Sequence, residues 1–429
     1  MALKSLLLFV ITLVVATQAI SMRPRNVHVA LAGPNSYQMT VSWTTDYSPQ
    51  TKYVPSVIYG ETLKMDHVTS PTDCETKLYR NDEAHHHCFI SSTMPSTKYF
   101  YQITPELPNS SKVYTFTTAP PNGALSSMAI VGDLGLENAE GTVESMLYGL
   151  DNIKFGAIVH VGDISYADDH DLDGPNDQYE PIMNSFFEMI EPLASRAPYM
   201  VSVGNHDVSC HITTDAKCPP YLLNFTAYNT RWKMPSKASA GVANLWYSFD
   251  YGNVHYIVIN TESDTPNAPY NPHTGTVRAG GFGDQLKWLV SDLKKARSTQ
   301  RRAVTPWLVV LGHRPLYSSS VLDYPADQQN RTRADYENLL REFEVDMYIS
   351  GHVHLYERTL PMFNYTASQS DYMFPKDPVY IINGAGGNLE GHCDHVTPQL
   401  PSFMPYRNGE IYGYGIVSSF NGNPTRGDE

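Results

Sequence analysis

Ala157-Ile158-Val159-His160-Val161-Gly162-Asp163-Ile164-Ser165-Tyr166 reads as a short buried strand that ends on a glycine and is followed at once by a carboxylate and then a phenol. Four more segments likewise run from a short apolar stretch through a glycine to a carboxylate, amide or imidazole. Met128-Ala129-Ile130-Val131 leads into Gly132-Asp133-Leu134-Gly135, and Tyr199-Met200-Val201-Ser202-Val203 into Gly204-Asn205-His206-Asp207. Trp307-Leu308-Val309-Val310-Leu311 leads into Gly312-His313, and Asp346-Met347-Tyr348-Ile349-Ser350 into Gly351-His352-Val353-His354. Polar residues placed just past the ends of buried strands sit where open α/β sheets hold their ligands.

Helical periodicity fills the gaps. Residues 142–150 place Val143, Met146, Leu147 and Leu150 on one face, and residues 179–194 do the same with Ile182, Phe186, Met189, Ile190 and Leu193. Residues 284–296 bury Leu286, Leu289, Val290 and Leu293, and a hairpin turns at Asp250 to Asn253. The expected architecture from residue 124 onward is therefore a βαβ-rich α/β sandwich, two packed sheets flanked by helices. Residues 25–118 instead show short alternating runs such as Gln38 to Thr44 and Lys98 to Ile103, which predict an all-β sandwich of fibronectin III type with Trp43 in its core and Tyr99 or Tyr101 near a tyrosine corner. Ala119-Pro120-Pro121-Asn122-Gly123 is the linker, so the expected domains are 22–119 and 124–429.

A chain of 429 residues with 41% hydrophobic content can fill two cores. Its start, Lys4 followed by an apolar run to Ala16 and the small residues Thr17 and Ala19, reads as a secretory signal over residues 1–19. Export fits four sequons, at Asn109, Asn224, Asn330 and Asn364, and five cysteines, for which Cys74/Cys88 and Cys210/Cys218 are the sequence-adjacent pairings with Cys393 left over. Secretion or delivery to a lysosome is the expected destination. A net charge of −14 argues against nucleic-acid or anionic-membrane partners, so affinity for a phosphate must come from bound cations. No later segment is a membrane candidate.

Two adjacent cations need anionic oxygens, neutral nitrogens and one carboxylate able to bridge. Asp133, Asp163, Tyr166, Asn205, His313, His352 and His354 meet that description, with His352 and His354 spaced to address neighbouring ions. The order and spelling of these turns resemble the purple acid phosphatases, the tyrosinate-containing branch of the metallophosphoesterases. Leu355-Tyr356-Glu357-Arg358 and Asn383-Gly384-Ala385-Gly386-Gly387-Asn388 extend the likeness, and the β-sandwich half resembles the larger, plant-type members and their animal relatives. Where general metallophosphoesterases carry a histidine two residues after the first aspartate, this chain has Gly135, and Tyr166 is the available replacement.

The resemblance implies Fe(III) at Asp133, Asp163, Tyr166 and His354, and a divalent zinc, iron or manganese at Asp163, Asn205, His313 and His352. It implies in-line hydrolysis of phosphate monoesters, small or on phosphoproteins, by metal-bound hydroxide, with His206 as general acid or phosphate contact and Asp207 supporting the ligands. A diesterase or nucleotide pyrophosphatase, or an inert extracellular binding protein, are the rival expectations. The plant enzymes carry a histidine pair about nine residues beyond the ligand matched by His313, where this chain has Leu322-Asp323; Asp323, Tyr317 and Arg314 are unranked candidates for that part of the pocket. His85-His86-His87 lacks carboxylates at defined spacing and reads as a sandwich feature rather than a metal tract. Relatives continue past the Tyr412-Gly413-Tyr414-Gly415 region with strands that return to the core, so the expectation at the carboxyl end is a truncated form of lower stability.

Overall fold

The computed structural model describes residues 23–33, 37–50, 52–80, 82–104, 111–170, 172, 177–210, 218–269, 279–321 and 328–420; the signal segment, Asn109 and Leu322-Asp323 lie outside them. In the amino-terminal half, strands Arg25–Leu31, Met39–Asp46, Glu83–Ile90 and Cys74–Tyr79 form one antiparallel sheet. His67–Val68, Val57–Gly60, Lys98–Ile103 and Tyr114–Thr117 form the other. Trp43 is buried between them and donates its indole N–H to Tyr53 Oη at 2.9 Å. Tyr99 Oη accepts the Met94 N–H five residues upstream at 2.9 Å, the contact a tyrosine corner makes. Cys74 lies opposite Cys88 in register, and the two form a disulfide.

The three consecutive histidines occupy the middle of Glu83–Ile90, all buried, and each meets a hydroxyl through a ring nitrogen, while His87 Nε2 also bonds the Thr230 carbonyl at 3.0 Å. His87 meets Ser42 at 2.8 Å, His85 meets Thr44 at 3.1 Å, and His86 lies between Thr45 and Thr76, each at 2.9 Å. Burial pushes His85 down to about 4 and His86 to about 3, so both are neutral packing groups.

The second half holds two sheets. The first runs Tyr199–Ser202, Ala157–Val161, Ser127–Val131 and Gly415–Ser418, its first three strands parallel. The second runs Tyr247–Tyr251, Val254–Val258, Trp307–Leu311, Met347–Ser350, Val379–Asn383, Tyr356–Arg358 and Tyr406–Asn408, with a parallel centre from Val254 to Asn383. Helices Glu140–Asp151, Tyr179–Ala194 and Gln285–Ala296 fall where periodicity puts them, the last capped by the Asp284 side chain. Gly415–Ser418 pairs antiparallel with Ser127–Val131, so that Ser418 lies opposite Ser127. Asn383 and Tyr414 fasten that edge through bonds to the Ile130 and Ser145 carbonyls, at 2.6 and 3.2 Å.

The two halves share one continuous hydrophobic core. Helix Tyr179–Ala194 packs on strand Arg25–Leu31, where Glu191 accepts the Val27 N–H at 3.2 Å and the Tyr114 hydroxyl at 3.0 Å. Tyr101 donates to the Ser195 carbonyl at 2.8 Å, and His28 is wedged against Phe187 and Trp232.

Candidate metal centre

Both sheets end at the same place. The Gly132 N–H donates to the Asn383 carbonyl and the Gly386 N–H to the Gly132 carbonyl, both at 3.0 Å, which stitches the carboxyl end of one sheet to the other. Five residues in the turns beyond take left-handed backbone: Asp133, Asp163, Ser165, Tyr166 and His352, with φ between 56° and 71°. Away from glycine that conformation costs about 1–3 kcal/mol per residue and gathers where function needs a side chain aimed against local preference. Here hydrogen bonds hold it. Asp207 Oδ2 accepts the N–H groups of Asp163 at 3.1 Å and Gly204 at 2.8 Å, while both Asp133 carboxylate oxygens accept the His352 N–H at 3.0 and 2.8 Å.

The seven expected side chains fall into two adjoining groups. In one, Tyr166 Oη lies 3.2 Å from Asp133 Oδ1 and 2.9 Å from His354 Nε2. In the other, His313 Nε2 lies 3.0 Å from Asp163 Oδ2 and 3.1 Å from Asn205 Oδ1, and His352 joins Asp163 and His313 within 4.8 Å. His352 links the groups, backbone to Asp133 and ring toward Asp163. Two imidazoles are fixed by carbonyls: His313 Nδ1–H donates to Val161 at 3.0 Å and His354 Nδ1–H to Gly391 at 2.9 Å, which turns each Nε2 inward.

These donors fit a pair of cations. Asp133 and Asp163 are at most 1% exposed, and a buried carboxylate is costly unless positive charge or N–H donors stand beside it. Burial opposes ionisation of Asp163, yet the His313 and His206 imidazoles hold it well below the usual carboxylate range. Burial opposes the imidazolium of His313 in turn, and Asp163 nevertheless pushes it up to about 9, so a cation arriving there displaces a proton. The backbone leaves room for nothing else: a Cβ on Gly204 would stand 2.1 Å from Asp163 Oδ1, and one on Gly351 2.3 Å from Asp133 Oδ2.

His206 is buried beside this cluster, its ring 4.3 Å from that of Tyr166. Its Nδ1 lies 3.1 Å from Asp168 and 3.5 Å from Asp169, its Nε2 4.0 Å from Asp163 and 3.8 Å from Glu390, which also sits 3.8 Å from His354 Nε2. Burial disfavours its charge, but Asp168 and Asp163 hold the imidazole well above its ordinary value. Sequence reasoning missed Asp168, Asp169 and Glu390. The first pair follows Tyr166 by two and three residues and was legible as part of the same turn, whereas Glu390 sits on a loop with no spacing signal. Tyr317 does not face the cluster; it bonds Glu337 and packs against Tyr365, Tyr380 and Phe403. His392 stacks on Tyr412, and Cys210 and Cys218 form a second disulfide, leaving Cys393 as a free thiol.

Strand-end turns that bring aspartates, an asparagine and histidines together at the junction of two sheets define a metallophosphoesterase, and residues 127–356 match the calcineurin-like phosphoesterase family model. Residues 24–118 match the purple acid phosphatase N-terminal domain, and 377–426 the iron/zinc purple acid phosphatase-like C domain. The chain belongs to the purple acid phosphatases. It is 34% identical over 373 residues to purple acid phosphatase 21 of Arabidopsis thaliana, covering 86% of this chain and 72% of that one. It is 32% identical over 430 residues to acid phosphatase A of Cryphonectria parasitica, covering 86% and 81%. The fold matches that of the yellow lupin (Lupinus luteus) purple acid phosphatase PPD1 with a TM-score of 0.72 at 20% identity, over 93% of this chain and 70% of that one.

Proposed function

We propose that this chain is an acid phosphatase that hydrolyses phosphate monoesters at a trivalent iron held by Asp133, Asp163, Tyr166 and His354 and a divalent zinc, iron or manganese held by Asp163, Asn205, His313 and His352. The observation that carries this is the convergence of seven side chains from five separate turns on one junction between two sheets. When bound, such a pair supplies charge for the phosphoryl oxygens and lowers the pKa of a water. Metal preference follows from the donors. Burial, with Asp133 and Asp163 beside it, holds the Tyr166 phenol protonated, so it becomes a ligand only next to a hard, highly charged ion. Asn205, His313 and His352 are neutral donors and suit a divalent ion.

His206 is placed for proton delivery. Asp168 fixes its Nδ1, which leaves Nε2 facing Asp163 and Glu390 and able to protonate the departing alkoxide. A monoesterase is preferred to a diesterase on the strength of the acid phosphatases among the relatives. We assign residues 22–119 to the sandwich domain, 124–429 to the catalytic domain and 1–19 to a signal. Export would suit the sequons: Asn224, Asn330 and Asn364 are exposed, and no helix among the described residues is long and apolar enough to cross a membrane. The test is hydrolysis of p-nitrophenyl phosphate against bis(p-nitrophenyl) phosphate, with metal analysis and a visible spectrum on the same preparation. Iron plus a second metal, a phenolate band and monoester preference are expected; a colourless, metal-free, folded and inactive protein overturns the assignment.

A further inference from the structure

The loop from Asn388 to Cys393 is tied to the metal centre at three points. Asn388, fully buried, donates its Nδ2–H to the Asp133 carbonyl at 3.1 Å. The Gly391 carbonyl accepts the His354 Nδ1–H at 2.9 Å, and the Cys393 N–H donates to the His354 carbonyl at 3.1 Å. His392 stands between the last two, so its backbone is fixed relative to His354. Its ring is stacked on Tyr412, centroid to centroid 3.8 Å, with the planes 15° apart. Tyr412 is fastened in turn: the next N–H, that of Gly413, donates to the Ala385 carbonyl at 2.7 Å, one residue before the Gly386 that bonds Gly132. His392 Nδ1 is buried with no hydrogen-bond partner among the described residues, so the stack, not a bond at that nitrogen, sets the plane of the ring.

The pair lies on the side from which the centre is reached. Around the His206 imidazole, Asp163, Tyr166 and Asp168 are at most 1% exposed, whereas the Glu390 side chain, 3.8 Å from His206 Nε2, is 37% exposed. An ester oxygen that takes its proton from Nε2 therefore carries its organic group out past Glu390. Two residues further along the same loop stands His392 with its partner, both half-buried. Neither neighbouring glycine closes the space, since a Cβ on Gly391 or Gly413 would meet nothing within 4 Å.

Resting on the phosphatase assignment above, we propose that His392 and Tyr412 form the subsite for the leaving group, and that this subsite selects esters whose leaving group carries an aromatic ring. Two parallel rings make a flat wall, and a third ring lies against such a wall, offset or edge-on, at a gain beyond the area it buries. An alkyl chain collects the area alone. Glu390 and the exposed Asp394 flank the pair and would repel a second anionic group on the alcohol. Aryl and arylalkyl monoesters are therefore the class that fits, rather than esters bearing several phosphates.

The experiment titrates the purified enzyme, with its metals, calorimetrically with two phosphonates that cannot be hydrolysed, naphthylmethylphosphonate and propylphosphonate. The ratio of the two affinities is the readout, because a folding defect or a damaged centre lowers both together. The unaltered enzyme should favour the naphthyl compound by about 10-fold or more. Tyr412→Leu and His392→Leu keep apolar bulk but lose the flat face, and each should lower the ratio about 3- to 10-fold, the value of an aromatic contact. Tyr412→Phe retains the ring and should retain the ratio. Equal affinities in the unaltered enzyme, or no binding of either compound, overturn the proposal. So does a ratio that survives Tyr412→Leu or His392→Leu, or one that Tyr412→Phe lowers as far as Tyr412→Leu does. If the unaltered enzyme shows the preference yet hydrolyses neither naphthyl phosphate nor glycerol phosphate, the phosphatase assignment fails while the subsite stands.

Discussion

Gly204→Ala is the sharpest single test of how the centre is built. The backbone at Gly204, φ −122° and ψ −172°, is open to any residue, so the substitution adds no conformational strain of its own. The new methyl is the whole perturbation. It would stand 2.1 Å from Asp163 Oδ1, 2.5 Å from the Asp163 nitrogen and 2.8 Å from its Cγ, where ordinary contact begins near 3.4 Å. The carboxylate must withdraw by roughly 1 Å or more, and it is held by the His206 N–H at 2.9 Å and by His313 at 3.0 Å. Overpacking of that kind costs about 1–3 kcal/mol, and the strained or broken charge-assisted bond about 1.5–3 more, so a loss of about 2.5–6 kcal/mol is expected. A catalytic group displaced by 1 Å costs about 100-fold in rate. Urea unfolding, metal content and p-nitrophenyl phosphate turnover on one preparation measure all three effects. Gly141→Ala is the control: it lies in helix Glu140–Asp151 with nothing within 4 Å of the added Cβ, and should gain about 0.5–1 kcal/mol with unchanged turnover. Full metal content and normal turnover in Gly204→Ala would refute the idea that Asp163 is a ligand held by that turn.

Tyr166→Phe should lose the visible band and iron while melting within about 2 °C of the parent, because the ring keeps its packing and the lost hydroxyl serves Asp133 and His354 alone. His206→Asn should retain both metals and lose about 10²- to 10⁴-fold in turnover of an alkyl phosphate, but far less with p-nitrophenyl phosphate, whose leaving group needs no proton; equal losses on both would remove the general-acid role. The His255 imidazole is buried, which opposes its charge, but Asp250 at 2.7 Å and Asp292 at 3.0 Å push it up to about 9. Its contribution is present below the unfolded value near 6.5 and is lost as pH rises from 6.5 through 9, so unfolding free energy should fall by up to about 3 kcal/mol over that window, a slope absent in His255→Gln. Cys74→Ser with Cys88→Ser opens a 14-residue loop and should cost about 2–4 kcal/mol in chemical denaturation.

The turns that carry the centre were legible because each follows a strand whose residues are buried, as in Ala157–Val161, and because glycine marks where the chain stops being a strand. Helices with a clear apolar stripe were legible too. Gln328–Glu342 was not seen: of its buried positions, Gln328, Thr332, Tyr336, Glu337 and Leu340, only Tyr336 and Leu340 are apolar, too few to show as a stripe. Which strands share a sheet was also hidden, since Ala157–Val161 and Trp307–Leu311 read alike yet lie in different sheets, a matter of crossover rather than of residue type. Arg314 stood among three candidates that sequence could not rank; its contact with His352 depends on Glu262, fifty-two residues upstream, and such pairings leave no local trace.

A core that runs unbroken from Val27 to Tyr380 sets a limit on dissection of this enzyme. Cutting the chain at the Pro120-Pro121 junction would strip cover from the helix Tyr179–Ala194 and orphan Glu191, whose partners lie across the cut. No minimal catalyst is to be had by trimming the front; heat should melt the molecule in one step, and a protease that nicks either half should cost the other its shape.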